Sequence, residues 1–388
     1  MVKDYCSNEN IREFHIETHS EQWFKFRSVG IPEYEGGIGA SEIGKVCGHD
    51  IYPPCLAQVY HHKVGTELPE QFDNERMLAG RMAEPLLIDI ACLWDGTLES
   101  YVGKIEKYLE LGRPAHMRLR DIVRIRSYIV NDKYPFLFNS LDALIPSGSF
   151  SLRDGVVLQL PAPLELKTIS EMAAKQWIGG VPRKYVYQIN QQMLGLESDY
   201  GEIAIRKDGT YFNIHTFERN DAICEEILTK GERFWEERVL PGREYFKAYK
   251  EAVRLGDKAV ANKAMERIFQ FEPGPDGTPA YREWMTEKAR KASEGRDQEV
   301  AKADMVIYGT AREYHGVREV KKLIDTLNEA LKGDLLRYMR DNKVRFVSFG
   351  EEGKAQITNG GAIKVDLNVD LSQEAQDIMK SFNLSRFN

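Results

Sequence analysis

The sequence predicts an α/β (α+β) protein, with helices interleaved among strands, and three stretches carry that expectation. Leu164-Glu165-Leu166-Lys167 alternates apolar and charged residues, which is the period of a β-strand. From about Arg183 to Leu196 two faces recur at helical spacing. Tyr185, Gln188 and Gln192 form a polar-aromatic face; Val186, Ile189 and Met193 form an apolar one. Gly201 to Arg206 and Thr210 to Phe217 read as strands, and the Lys207-Asp208-Gly209 link between them is a strong hairpin signal.

The remaining elements follow in chain order. Residues 18–30 contain Trp23 and Arg27, and a Gly-rich turn follows from Gly36 to Gly44. It reads as a loop entering a helix, with Ser41 near the N-cap. Free amides at such a start favour an anion such as phosphate; an ordinary capped helix is the alternative. A helix is expected from about Asn74 to Leu93, through Met77, Leu78, Met82, Leu86, Leu87, Ile90 and Ala91. Pro85 is expected to interrupt it and to leave Glu84 at a turn. A strand is expected within Ile122 to Val130. Phe136 to Ile145 reads as one further strand, bearing Asp142. Val156 to Leu160 extends towards the Leu164 strand, and Pro161 and Pro163 suggest a bulge or an edge position there.

Near Pro241 the composition shifts to higher charge, which divides the chain into a core, 1–240, and an extension, 241–388. The extension is expected to hold a long helix from Ala301 to Asn342 and a small β unit. That unit comprises Val344 to Phe349, Ala355 to Ile357 and Ile363 to Val365. In the helix Val317, Val320, Leu323, Ile324, Leu327, Leu331, Leu335 and Tyr338 mix heptad and helical spacing. They form either a face packed on its own chain or an oligomer seam.

The chain has 388 residues, 42% hydrophobic and 29% charged, an ordinary globular balance. No apolar run is long enough to span a bilayer, and the N-terminus lacks the apolar core of a signal peptide, so a cytoplasmic protein is expected. Cys6, Cys47, Cys55, Cys92 and Cys224 are scattered without a C-x-x-C pair, which supports no zinc, disulfide or iron–sulfur framework. A net charge of −7 argues against a generally basic nucleic-acid binder. Locally, residues 101–133 hold Lys104, Lys107, Arg113, Arg118, Arg120, Arg124, Arg126 and Lys133 against four acids. That is either a phosphate-contacting surface or a solvated helix face. His61 and His62 are adjacent, so as strand residues they would face opposite ways; an exposed loop pair is expected instead of a metal site.

On a strand, Glu165 and Lys167 share one face while Leu164 and Leu166 take the other. Asp142 brings a second acid from a neighbouring strand. Asp, Glu and Lys so placed suit metal-dependent phosphodiester cleavage: two hard oxygen ligands hold Mg²⁺, and a cation beside them orients or deprotonates the attacking water. Glu84 could complete a second ion site. Two ions would hold the Lys167 pKa down and permit a general base, with a fixed electrostatic role equally open. Each residue also has a plainer reading. Asp142 could cap a turn. Glu165 and Lys167 could form a surface pair. Gln188 and Gln192 could face solvent, and Arg27 could pair with Glu21 or Glu33.

Five motifs in order resemble those of the lambda-exonuclease/YqaJ-type viral recombinase family of PD-(D/E)XK nucleases, over roughly residues 18–240. They are Trp23 to Arg27 followed by Gly39-Ala40-Ser41-Glu42-Ile43; Gly80 to Glu84-Pro85; Ser140-Leu141-Asp142; Glu165-Leu166-Lys167; and Tyr185 to Gln188, continuing to Gln192. The resemblance implies a restriction-endonuclease-like core, a central mixed sheet flanked by helices. It also implies Mg²⁺-dependent digestion of one strand of linear duplex DNA, 5′ to 3′ from a double-strand end, with two ions per site and Mn²⁺ as a substitute.

Carried onto this chain, it makes Glu84, Asp142, Glu165 and the Leu166 carbonyl metal ligands. Lys167 activates or positions the water, and Gln188 steadies water or scissile phosphate. Arg27 and Ser41 take the phosphate of the incoming strand, with Tyr185 and Gln192 as further DNA contacts. Expected partners are double-stranded DNA ends, a single-strand annealing protein and, in one arrangement, further copies of the chain; no membrane is expected. A structure-specific or restriction-like endonuclease and a non-catalytic DNA-end-binding protein are the competing readings. The chain departs from the family pattern in the added Ile31 to Gly37, in the long link from Asp142 to Glu165 and in the residues after Pro241.

Overall fold

The computed structural model describes residues 8–18, 20–69, 75–125, 127–207, 211–292, 305–342, 344–348, 353–357 and 363–367. Contacts divide the chain into Met1–Lys288 and Ala289–Asn388. The strands of the first unit are β1 (Ile11–Phe14), β2 (Ile38–Gly39), β3 (Val123–Arg124), β4 (Tyr128–Asn131), β5 (Leu137–Ser140), β6 (Ala143–Ile145), β7 (Ala162–Ile169), β8 (Tyr200–Lys207) and β9 (Tyr211–Glu218). Its early helices are α1 (Glu21–Arg27), α2 (Ile43–Val46), α3 (Leu56–Val64), α4 (Glu75–Leu93) and α5 (Ile105–Glu110). Then come α6 (Glu171–Ala174), α7 (Arg183–Leu196), α8 (Asp221–Phe234), α9 (Leu240–Leu255) and α10 (Lys258–Phe271), and α11 (Pro279–Ala292) contains the division at Lys288.

Two mixed sheets result. One has the order β3-β6-β7-β8-β9, with only β7 and β8 parallel; the other has the order β1-β4-β5-β2, with only β5 and β2 parallel. Parallel neighbours need a crossover, and α7 supplies it between β7 and β8. The expected mixed sheet flanked by helices is therefore present. Leu164 and Leu166 are buried with Leu87, Ile90 and Leu93 of α4 on one face of the larger sheet. On the other face Ile189 and Met193 of α7 pack against Ile203 and Ile205. The alternation along β7 thus turns Glu165 and Lys167 towards α7.

Several expectations are corrected. Phe136 to Ile145 is not one strand: β5 pairs in the smaller sheet, β6 in the larger, and Asp142 sits at the break. Ile122 to Val130 likewise splits into β3 and β4, with Arg126 outside the described residues. Val156 to Leu160 forms only an isolated bridge, Phe150 with Val157. Pro163 lies inside the central strand β7, paired with Leu144. The β8 ladder begins only at Leu164, so the missing amide of Pro163 interrupts no pairing on that side. α4 runs on through Pro85, so Glu84 is on a helix and not at a turn. Pro85 is exposed, and burial of Leu87, Ile90 and Ala91 outweighs its one lost hydrogen bond. Asn74 and Asp208-Gly209 fall outside the described residues, as does Cys6; the other four cysteines are free and buried.

The composition shift near Pro241 falls inside a continuous helical run, where a π-turn over Trp235–Val239 joins α8 to α9. Ile268 of α10 is buried with Val59 and Tyr60 of α3, and the Tyr60 hydroxyl donates to the Ile268 carbonyl (2.7 Å). His61 and His62 lie on α3, not in a loop. His61 is buried and bonds Thr66 (2.6 Å) and Glu272 (2.7 Å).

The second unit holds α12 (Met305–Asp341) and an antiparallel sheet of β10 (Phe346–Ser348), β11 (Gly353–Ile357) and β12 (Ile363–Leu367). Ala301 to Asp304, Phe349 and the side chains of Val320, Leu323, Ile324, Leu327 and Leu331 lie outside the described residues. Among the described residues no helix is long and apolar enough to cross a membrane.

Several bases of residues 101–133 are engaged by acids. Arg113 pairs with Asp89 (3.0 Å), Arg124 with Glu84 (2.5 Å) and Lys133 with Glu197 (2.8 Å). Arg120 is buried: its guanidinium holds Glu202 at 2.5 and 2.7 Å and the Ala91 carbonyl at 3.3 Å, while Tyr200 donates to the same carboxylate (2.6 Å). Removing one partner of such a pair strands a buried charge. Arg120→Met is expected to cost about 3–5 kcal/mol in denaturant unfolding, and the Arg120→Met/Glu202→Gln double variant to recover most of it.

Candidate active site

Glu165 is 4% exposed, yet its carboxylate is fully engaged. Oε1 accepts from the Lys167 ammonium and from Gln188 Nε2 (2.7 Å); Oε2 accepts from Gln192 Nε2 (2.6 Å). Gln188 and Gln192 come from successive turns of α7 because residues four apart share a helix face. Tyr185, one turn earlier, lies under Lys167, with Nζ 5.1 Å from the ring centroid, and Trp177 stacks on it at 5.3 Å. The glutamines do not face solvent. Gln192 is fully buried and also donates to the Ser140 carbonyl (3.4 Å), so it holds the carboxylate and is not placed to touch DNA.

Asp142 joins this group from the β5–β6 break. Extending the β6–β7 register by one residue sets it opposite Glu165, and its Oδ2 accepts the Leu166 amide (2.8 Å). Burial and the neighbouring Glu165 charge push the Asp142 carboxyl up to about 8, against the pull of Lys167 and the Leu166 amide; Glu84 pushes in the same direction. Burial disfavours the Lys167 ammonium, but Glu165 and Asp142 outweigh it and hold this group above its ordinary range. Lys167 is therefore a cation here; the lowered pKa expected from a pair of metal ions is not a property of these side chains alone.

Glu84 lies within electrostatic reach of Asp142, but its Oε2 accepts Arg124 Nη2 at 2.5 Å. Among the described residues no three Asp, Glu, His or Cys side chains gather into a ready-made ligand cluster. The donor set still suits a hard divalent cation. Two carboxylates approach each other, Asp142 is hard to ionise where it stands, and Mg²⁺ commonly takes one or two carboxylates and keeps several waters. Asp142→Asn preserves an acceptor for the Leu166 amide and removes the repulsion. In chelator it is expected to raise folding stability by about 1 kcal/mol or more, the equivalent of one pKa unit, measured by denaturant unfolding.

Arg27 and Ser41 lie apart from this group. Among the described residues neither bonds to the Glu165 group. Arg27 ends α1, its guanidinium 5.0 Å from the Trp23 ring and 5.9 Å from that of Phe138. It pairs with neither of its expected acids: Glu21 holds Lys25 (2.5 Å), and among the described residues the Arg27 guanidinium has no hydrogen bond or ion pair. Ser41 is exposed at the turn. The N-cap of the four-residue α2 is Glu42, not Ser41.

The Glu42 carboxylate instead accepts the Gly39 amide (2.7 Å) and the Lys63 ammonium (2.7 Å). Lys63 and its role escaped the sequence reading. The available signal was a lysine set among Val59, Tyr60 and Val64 on the buried face of α3. Gln191 was also missed. Its Nε2 donates to the carbonyls of Ile38 and Phe138 (3.0 Å each), which ties α7 to the parallel β2–β5 pair.

No curated protein matches the chain. Among solved structures it is similar to LHK-Exo, an alkaline exonuclease from Laribacter hongkongensis, in complex with dAMP: 17% identity, TM-score 0.40, covering 61% of this chain and 100% of that one. It is also similar to a phage-related exonuclease from Haemophilus somnus 129PT: 10% identity, TM-score 0.32, covering 50% of this chain and 90% of that one. Likeness at this level assigns no residue a role. Residues 22–195 match the model of the YqaJ-like viral recombinase domain. That segment spans all five motifs from Trp23 to Gln192, so residues 22–195 of the chain are a YqaJ-like viral recombinase domain.

Proposed function

We propose that the chain is a Mg²⁺-dependent deoxyribonuclease that digests one strand of linear duplex DNA, 5′ to 3′, and leaves single strand for recombination. The observation that carries this reading is the engagement of Glu165 by Lys167, Gln188 and Gln192, with Asp142 set opposite. Glu165 and Lys167 on β7, with Asp142 at the β5–β6 break, match what phosphodiester hydrolysis needs: cation ligands, and a fixed positive charge where negative charge develops.

Asp142, Glu165 and the Leu166 carbonyl would hold the cation, Mg²⁺ or in its place Mn²⁺. Glu84 would join on releasing Arg124 and so serve a second ion. A bound divalent cation supplies charge neutralisation at the scissile phosphate and a more acidic water. Lys167, kept protonated by its two acids, would orient that water and offset charge on the phosphate. Gln188 and Gln192 would fix the Glu165 carboxylate in one rotamer, with Gln188 also bordering the scissile phosphate. Arg27 and Ser41 would take the phosphate of the incoming strand, and Tyr185 would flank it. The protein would act on DNA ends in a bacterial cytoplasm and pass the exposed strand to a single-strand annealing protein.

The test is digestion of duplex labelled at its 5′ or 3′ ends, with Mg²⁺ and with chelator, beside a closed circle. The reading expects Mg²⁺-dependent loss of 5′ label and an untouched circle; cleavage of the circle would make the protein an endonuclease. Lys167→Ala is expected to lower cleavage by a factor of about 100 or more and to leave DNA binding unchanged. Wild-type turnover in that variant would remove Lys167 from the chemistry.

A further inference from the structure

Lys63 has no exposed surface. Its ammonium donates to the Arg27 carbonyl and to Glu42 Oε2. The same carboxylate takes the Gly39 amide, so one acid links the end of α1, the turn bearing Ser41 and the buried face of α3. A fourth element closes this corner from outside the family-matched segment. Arg243 of α9 donates to the carbonyls of Lys63 (2.7 Å), Glu35 (2.6 Å) and Ser28 (2.9 Å), and its guanidinium lies 4.7 Å from the Trp235 ring. The added Ile31 to Gly37 is thereby tied down, with a bridge between Ile31 and Tyr34.

Glu42, Lys63 and Arg27 meet here, and Arg243, held by its three carbonyls, acts on Lys63 from outside. Arg27 acts electrostatically on both Glu42 and Lys63. An acid near two cations can neutralise either. Lys63 makes the direct bond, and Arg27 lies against Trp23 and Phe138 with its guanidinium donors unengaged among the described residues. The trio keeps a surplus positive charge, and it resides on the half-exposed member. A planar guanidinium with open donors suits a phosphate monoester, and Ser41, next in sequence to Glu42, is exposed.

We propose that the buried Glu42–Lys63 pair positions the phosphate end of the site: Lys63 occupies Glu42, which leaves Arg27 able to take the terminal 5′-phosphate of the incoming strand. This rests on the nuclease reading above and adds to it a reason for end selectivity. Lys63, Glu42 and Arg243 are positioning residues; none need touch DNA.

The test is binding of short duplexes with a 5′-phosphate or a 5′-hydroxyl, by fluorescence anisotropy in chelator. The full chain is expected to bind the phosphorylated end about tenfold more tightly, the scale of one charge-assisted contact. Lys63→Met releases Glu42 to Arg27, and the preference should fall to near unity. The Lys63→Met/Glu42→Gln double variant removes the competing acid, and the preference should return. Glu42→Gln alone should keep it. A purely structural role would weaken both duplexes alike and would give no rescue.

If Lys63→Met does not fold, the other two variants still decide: a ratio near unity in either overturns the proposal, as does a wild-type ratio of one. Digestion of the same duplexes with Mg²⁺ separates the two claims. Cleavage without phosphate preference sinks only the positioning role. Phosphate preference without cleavage sinks the nuclease reading and leaves Arg27 a binding site.

Discussion

The engagement of one buried carboxylate organises this molecule. Three donors meet the buried Glu165 carboxylate, and a buried polar group without partners there would cost far more than any neighbouring contact returns. That requirement constrains the elements around it. β7 must lie between β6 and β8, so that Glu165 and Lys167 face away from the Leu87–Leu93 side. α7 must cross directly above, so that Gln188 and Gln192 reach down. The crossover that makes β7 and β8 parallel delivers the helix to that place.

Much of this was legible because two simple periods carried it. The two-residue alternation of Leu164 to Lys167 and the i, i+3, i+7 spacing of Tyr185, Gln188 and Gln192 each report a face, and the two faces meet. The strands β8 and β9 and the span of α7 were legible for the same reason. The split of Phe136 to Ile145 was not. Leu137 to Ser140 and Ala143 to Ile145 are both apolar enough for a buried strand, and only pairing partners distant in sequence tell that they serve different sheets. The break matters, because it frees Asp142 to turn its carboxylate onto the Leu166 amide. Pro85 misled in the opposite direction: a local rule predicted a turn, and packing of α4 on the larger sheet overrode it.

Charge was the least legible property. Eight bases in residues 101–133 read as either a phosphate surface or a solvated helix face, yet Arg120 is buried against Glu202, which lies far along the chain. Arg27, outside that stretch, has no bonded acid among the described residues. Its state depends on Glu42 and Lys63, a pair joined only by folding. The composition boundary near Pro241 hid a related fact. α9 and α10 pack onto α3 through Tyr60 and Arg243, so residues beyond the matched family segment help to shape the turn bearing Ser41.

The central claim is that Asp142, Glu165 and the Leu166 carbonyl form one divalent-cation site with Lys167 beside it. Anomalous diffraction from crystals of the full chain soaked in Mn²⁺ tests it most directly. The account predicts a peak within coordination distance of both carboxylates. Ordered density for these side chains with no manganese between them, or a peak bound elsewhere in the chain, would contradict it.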